Sequence, residues 1–203
     1  MEAEGRKEET DTRRPEEHTS PRLRLLPGAN ILEGMELRSA EAIFRALNES
    51  GVRYLVVGGL AVNAHGYERM TKDIDLVIQL EPANVLRAWT AIEAAGYRPK
   101  VPVTAEQFAD LETREGWRRE KMMLVLQFWS DEHRRTTLDV FVHEPFDFDR
   151  EYREASRQEL DSGLTIPIIR IPTLLEMKRA AGRSQDLVDI EKLLKLEELR
   201  GDG

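Results

Sequence analysis

A run of four apolar residues ending in two glycines, Tyr54-Leu55-Val56-Val57-Gly58-Gly59, constrains this chain more than any other feature when read with Asp73-Ile74-Asp75-Leu76-Val77-Ile78. The first run has the length and composition of a buried strand. The two glycines behind it allow backbone to approach a phosphate or another group closely. Leu60 to His65 then reads as a short helix stopped by Gly66, and Asp73 to Ile78 as a returning strand. The gap has room for one short helix and a loop, so the glycine bend and the aspartates come back to the same end of a sheet.

Residues two apart on a strand share a face, so Asp73 and Asp75 project together while Ile74 and Leu76 enter the core. Two carboxylates about 4 Å apart repel by about 4 kcal/mol at an effective dielectric of 20. Such a pair either shares a proton or binds a cation. Asp139 tips the choice toward the cation. It lies in the alternating strand Thr137-Leu138-Asp139-Val140-Phe141-Val142, on the face opposite Leu138, Val140 and Val142. Oxygen ligands alone select Mg²⁺ or Mn²⁺ over zinc. A helix N-terminus following Gly58-Gly59 favours a phosphate beside that cation.

Around this centre the pattern predicts a helix from Glu36 with Leu37, Ala40, Ile43, Phe44 and Leu47 inward, closed by Gly51. A second helix starts at Pro82 and ends before Gly96. Met122–Trp129 and Thr136–Val142 read as an antiparallel pair of strands, and Leu164–Ile171 as a further strand. Helices over Pro172–Ala181 and Gln185–Leu199 close the chain, while Pro99–Lys121 gives no pattern. The expected class is α/β (α+β), a mixed sheet flanked by helices. The expected organisation is a disordered charged segment over 1–28, a core over 29–150, and a C-terminal strand and helices over 151–203 packed on it.

Composition removes several function classes. The chain has no cysteine, so disulfides, thiol catalysis and Cys-based zinc sites are out, in keeping with a reducing cytoplasm. The histidines show no zinc-binding spacing. A net charge of −8 argues against a broad surface for duplex DNA. No apolar run approaches the roughly 20 residues of a membrane helix.

Gly58-Gly59-Leu60-Ala61-Val62-Asn63-Ala64-His65-Gly66 followed by Asp73-Ile74-Asp75-Leu76-Val77 resembles the signature of the DNA polymerase β-like nucleotidyltransferase superfamily. Within it the chain is most similar to small bacterial and archaeal enzymes related to AbiE-type toxins. Ile171-Pro172-Thr173-Leu174-Leu175-Glu176-Met177-Lys178 and Gly182-Arg183-Ser184-Gln185-Asp186-Leu187-Val188-Asp189-Ile190 carry that likeness as well. The resemblance implies that Gly58 and Gly59 contact a nucleotide triphosphate, and that Asp73 and Asp75 bind metal. Asp139 is implied as the third carboxylate, which ligates the metal and helps to deprotonate the acceptor hydroxyl. Lys178 is implied to neutralise phosphate, with Arg183 and Asp186 also at the nucleotide. Arg69 and Lys72, in the loop before the aspartates, suit a phosphate contact or a mobile surface equally. Lys178, Arg179 and Arg183 also suit a solvated helix end.

The expected activity is metal-dependent transfer of a nucleoside monophosphate to a hydroxyl on a transfer RNA end, a protein or a small molecule. A toxin paired with a cognate antitoxin is the subsidiary expectation. Two rivals stand beside it. An Asp-x-Asp glycosyltransferase is disfavoured by the glycine bend, and a nucleotide-binding module without catalysis is disfavoured by the presence of all three carboxylates.

Overall fold

The computed structural model describes residues 36–201; the charged segment 1–28 lies outside the described residues. In chain order the elements are α1 (Leu37–Glu49), β1 (Tyr54–Val57), α2 (Gly58–Ala64), β2 (Asp73–Ile78), α3 (Pro82–Ala94), β3 (Arg98–Pro99), α4 (Ala105–Ala109), α5 (Leu111–Lys121), β4 (Val125–Trp129), β5 (Thr137–Phe141), α6 (Phe148–Glu154), β6 (Ser156–Glu159), β7 (Thr165–Ile168), α7 (Ile171–Ala181) and α8 (Ser184–Gly201). The strands form one mixed sheet in the order β3-β4-β5-β2-β1-β7-β6. β2 runs antiparallel to β1 and parallel to β5, and β1 runs parallel to β7.

Alternation along the strands divides the sheet into two faces. Ile74, Leu76, Leu138, Val140, Leu126 and Phe128 are all buried, while the alternate residues Asp75, Asp139 and Gln127 are only half-buried. Helix α3 closes the apolar face, with Trp89 edge-on to Phe128 and tilted against Phe108 of α4. The opposite face of β2, β5 and β4 stays partly open, and the aspartates stand on it. At its far end β2 changes character: Val77 and Ile78 are both fully buried, so the strand is polar on one face only where the aspartates lie.

Several boundaries differ from the sequence expectation, each for a local reason. Helix α2 begins at Gly58 instead of Leu60, so the glycines form its first residues. Strand β4 begins at Val125 and not at Met122, because Met122 takes a left-handed conformation (φ 52°) that caps α5. The unreadable stretch contains two helices whose start signals were present. Gln107 N donates to Thr104 Oγ1 (3.3 Å) and Thr104 N to Gln107 Oε1 (2.9 Å), a reciprocal cap for α4. Asp110 accepts from Thr113 N at 2.8 Å to start α5. Helix α6 and strand β6 were not anticipated at all. Ser156-Arg157-Gln158-Glu159 has no apolar alternation to reveal it as an edge strand.

Asn84 ties the helical layer to the sheet. It is fully buried in the first turn of α3. Its Oδ1 accepts from Arg53 N (2.9 Å), and its Nδ2 donates to Arg53 O (3.1 Å) and Gln79 O (2.9 Å), joining the entry of β1 to the exit of β2. Asn84→Ala strands these groups, and a loss of about 2–3 kcal/mol in urea unfolding is expected. A loss below about 0.5 kcal/mol would show that water replaces the amide without cost.

Candidate active site

The register of β2 against β5 sets the centre of the site. Asp75 lies directly opposite Asp139 on the parallel neighbour, and Asp73 opposite Thr137. Adjacent strands lie about 4.8 Å apart, so the two carboxylates stand side by side on the partly open face. The backbone N–H of Gly59 favours the charged form of Asp75. Gln127 Nε2, across the β4–β5 pair, donates to Asp139 Oδ1 at 2.8 Å. Thr137 Oγ1 donates to Asp73 Oδ1.

The glycines are required by how closely they pack on this centre. A Cβ on Gly58 would lie 1.9 Å from Asp75 Oδ2, and its φ of +62° is in the left-handed region. A Cβ on Gly59 would lie 2.6 Å from Thr71 Oγ1 and 3.0 Å from Arg69 Nη2. The bend thus makes room for an aspartate on one side and for the guanidinium loop on the other.

That loop is clamped at both ends. Asn63 Nδ2 donates to Arg69 O (2.9 Å), and Arg69 N donates to Asn63 Oδ1 (3.0 Å). The Arg69 guanidinium bonds Asp189 of α8 through Nη2 (2.9 Å) and pairs with it through Nε (2.8 Å). Lys178 of α7 lies behind this pair with its Nζ 2.7 Å from Asp189 Oδ2 and 3.2 Å from Asp186 Oδ1. Asp186 in turn accepts from Arg183 Nε at 2.8 Å. Two buried carboxylates therefore hold three cations, one of which, Arg69, flanks the glycine bend.

Charge follows from this placement. Burial, together with the neighbouring Asp139 and Asp73 charges, pushes the Asp75 carboxyl up to about 6, against the Gly59 hydrogen bond and the Arg183 charge. Burial also raises Asp139, partly offset by Gln127 and Lys100. Asp186 and Asp189 behave in the opposite way. Burial would raise them, but hydrogen bonds from Arg183 and Lys178, and from Lys178, Arg69 and Gln185, hold them below the ordinary carboxylate range.

The structure thus brings Asp73, Asp75 and Asp139 to one face, with Gly58, Gly59, Arg69 and Arg183 around them. Lys72 is exposed in the loop just before Asp73. Two of the expected residues are enclosed by other protein groups. The ammonium of Lys178, expected at a phosphate, is enclosed by Asp186 and Asp189, and its side chain is 4% exposed. Asp186, expected in the nucleotide set, is buried and serves as acceptor for Lys178 and Arg183. Gln127, Thr137 and Asp189 escaped sequence reading because their site partners Asp139, Asp73 and Arg69 lie on other elements. His65 is buried with Nε2 2.7 Å from Ile169 O.

Among the described residues no three His, Asp or Glu side chains converge as a ready-made metal cage. The donors present are hard oxygens, two of them on directly opposed residues, and they repel one another. That suits a hexacoordinate cation such as Mg²⁺, which takes one or two carboxylates and completes its shell with water and substrate phosphates.

A search of solved structures finds the lincosamide antibiotic adenylyltransferase LnuA, lincomycin-bound, with a TM-score of 0.54 at 15% identity, over 80% of this chain and 99% of that one. This chain has a nucleotidyltransferase fold. The antibiotic-resistance factor ANT(2'')-Ia is similar at a TM-score of 0.49 and 15% identity, over 81% of this chain and 89% of that one. A nucleotidyltransferase-like antigenic protein from Paracoccidioides brasiliensis gives 0.48 at 16%, over 82% and 78%. No protein-family model matches the sequence, and no curated protein matches it. At these identities the likeness is one of nucleotidyltransferase fold, with the seven-stranded mixed sheet and C-terminal helices expected of it.

The raised Asp75 carboxyl makes a pH-dependent prediction. Its ionisation disfavours the folded state, so the penalty is complete above about 6 and absent below its ordinary 3.8. In cation-free buffer Asp75→Asn is expected to stabilise the fold by about 1–3 kcal/mol at neutral pH, with the gain vanishing as the pH falls through that window. Thermal unfolding of both proteins at several pH values checks this. Equal stabilities at neutral pH would remove the electrostatic account of the cluster.

Proposed function

We propose that this protein transfers a nucleoside monophosphate from a nucleoside triphosphate to a hydroxyl acceptor, with release of pyrophosphate. The observation that carries the proposal is the opposition of Asp75 and Asp139 on parallel strands beside the Gly58-Gly59 bend, on a nucleotidyltransferase fold. Asp73, Asp75 and Asp139 are the groups that would hold Mg²⁺ or Mn²⁺. Bound there, the cation supplies Lewis-acid stabilisation of the attacking and leaving oxygens at the α-phosphorus.

The chain's own groups do the remainder. The glycine bend lets backbone reach the triphosphate. Arg69, beside the bend, and Arg183, whose charge acts on Asp75, offset phosphate charge, and Lys72 lies in the same loop as Arg69. Lys178, Asp186 and Asp189 fix the two arginines in place. Asp139 accepts the proton of the acceptor hydroxyl as it attacks; burial raises its carboxyl, which suits a proton acceptor better than an ordinary aspartate.

The acceptor class we favour is a hydroxyl on a small molecule, because LnuA is described as an antibiotic adenylyltransferase with lincomycin bound; adenosine triphosphate is then the favoured donor. The second reading is a toxin acting on a transfer RNA end or a protein and held in check by an antitoxin. It rests on the likeness of the Ile171–Lys178 and Gly182–Ile190 stretches to AbiE-type enzymes, and these stretches contain Lys178, Arg183, Asp186 and Asp189. A cytoplasmic location fits either reading, since that is where nucleoside triphosphates are supplied. Among the described residues no helix is long and apolar enough to cross a membrane.

Incubation with each α-phosphate-labelled triphosphate in cell extract identifies both donor and acceptor. The expected result is label on one acceptor class with magnesium present, reduced by at least roughly a thousandfold in Asp75→Asn. Near-normal transfer by Asp75→Asn would remove the metal assignment. Transfer of sugar in place of label would favour the glycosyltransferase alternative. Nucleotide binding with no turnover on any extract fraction would leave a regulatory module.

A further inference from the structure

The aspartate pair begins a row of polar side chains that crosses the sheet to its edge. Strand register puts Asp75 opposite Asp139, and Asp139 opposite Gln127 on β4. Lys100, the residue after β3, comes next, and its backbone N donates to Gln127 O at 2.8 Å. Two side-chain bonds join the outer members of the row. Lys100 Nζ donates to Gln127 Oε1 (2.5 Å), and Gln127 Nε2 donates to Asp139 Oδ1 (2.8 Å).

This chain of bonds has one direction. An ammonium only donates and an ionised carboxylate only accepts, so the amide between them turns its oxygen to Lys100 and its nitrogen to Asp139. Both neighbours hold it in the same orientation. Linked bonds polarise one another, so the ammonium strengthens the donation that Asp139 receives. With Oδ1 engaged, the Asp139 carboxylate cannot rotate without losing the Gln127 bond, and Oδ2 is its remaining oxygen.

Neither stability nor phosphate binding accounts for the arrangement. Lys100 is exposed and Gln127 half-buried, so water would satisfy both side chains at little cost. The glycine bend follows β1, four strand positions from β3 in the sheet, or about 19 Å at the usual strand spacing. Lys100 therefore stands too far from Gly58 and Gly59 to share a phosphate with them. The carboxylate it reaches, through Gln127, is Asp139.

We propose that Gln127 and Lys100 are positioning residues for Asp139, a role that rests on the transfer reaction proposed for this site. Lys100 fixes the Gln127 amide, and the amide fixes the carboxylate. As the acceptor oxygen bonds to the α-phosphorus, its proton passes to Asp139 and the bond to the departing pyrophosphate breaks. A misplacement of about 1 Å in such a group costs on the order of a hundredfold in rate, so a hydrogen bond that fixes it acts on the chemical step and not on triphosphate binding.

Two measurements on the full chain test this. The first is the side-chain amide resonance of Gln127 in nitrogen-15-labelled protein, which needs no activity. One Nε2 proton is expected downfield of the ordinary glutamine position, and it moves in Asp139→Asn and in Lys100→Met. An ordinary, exchange-averaged amide in the unaltered protein overturns the proposal. The second is transfer from an α-labelled triphosphate to the acceptor in cell extract. Gln127→Met is expected to lower kcat at least about tenfold with the triphosphate KM within about twofold, and Lys100→Met to lower kcat about threefold in the same way. Lys100 is exposed and methionine matches glutamine in length, so both variants keep the fold, which thermal unfolding checks. Unchanged kcat in Gln127→Met, or a raised triphosphate KM in its place, overturns the positioning role; unchanged kcat in Lys100→Met removes Lys100 from it. A shifted amide in a protein that transfers no label to any extract fraction sinks the transfer reaction and the catalytic role together, and leaves only a structural chain of bonds.

Discussion

The repulsion between Asp75 and Asp139 is the constraint around which the rest of this molecule is arranged. Parallel pairing of β2 and β5 puts the two carboxylates side by side, and the packed layer of α3 fixes that register from the opposite face. Slipping the register by one residue would turn Leu138 and Val140 outward, at a cost of several kcal/mol in lost burial. The fold therefore cannot relieve the repulsion by sliding. It gives Asp139 a hydrogen bond from Gln127 and leaves the remaining charge for a ligand to neutralise.

Everything beside the pair follows from giving it space and a counter-charge. Gly58 is glycine because any Cβ would run into Asp75, and Gly59 because the Thr71 and Arg69 side chains fill the other flank. The Arg69 and Arg183 guanidinium groups do not neutralise the aspartates directly. They are anchored from behind on Asp189 and Asp186, and Lys178 balances those two buried acids. Cations presented on a fixed base next to an acidic cluster suit a ligand with both metal and phosphate character. Breaking one member of such a network leaves a buried charge without its partner, so these residues act together.

Sequence reading reached the parts of this arrangement governed by short-range pattern. The β1–glycine–β2 unit, the faces of Asp75 and Asp139, and the antiparallel β4–β5 pair follow from period-two alternation and from glycine. Helix α3 followed from Pro82 and its apolar spacing. What escaped depends on partners carried by other elements. Nothing near Lys178 shows that two aspartates of the next helix will enclose it. Nothing near Gln127 announces Asp139 until the strand register is known. The misplaced start of β4 came from Met122, a residue seldom left-handed, which ends α5 without a glycine. Helices α4 and α5 went unread, because their caps at Thr104, Gln107 and Asp110 are hidden among charged residues of low apolar content.

Crystals grown with Mn²⁺ and a non-hydrolysable triphosphate, read by anomalous scattering, test the central claim most directly. The account predicts a manganese peak about 2.1 Å from oxygens of both Asp75 and Asp139, with the triphosphate against Gly58 and Gly59. A manganese site away from these aspartates, or a triphosphate bound with no metal between it and them, would contradict it.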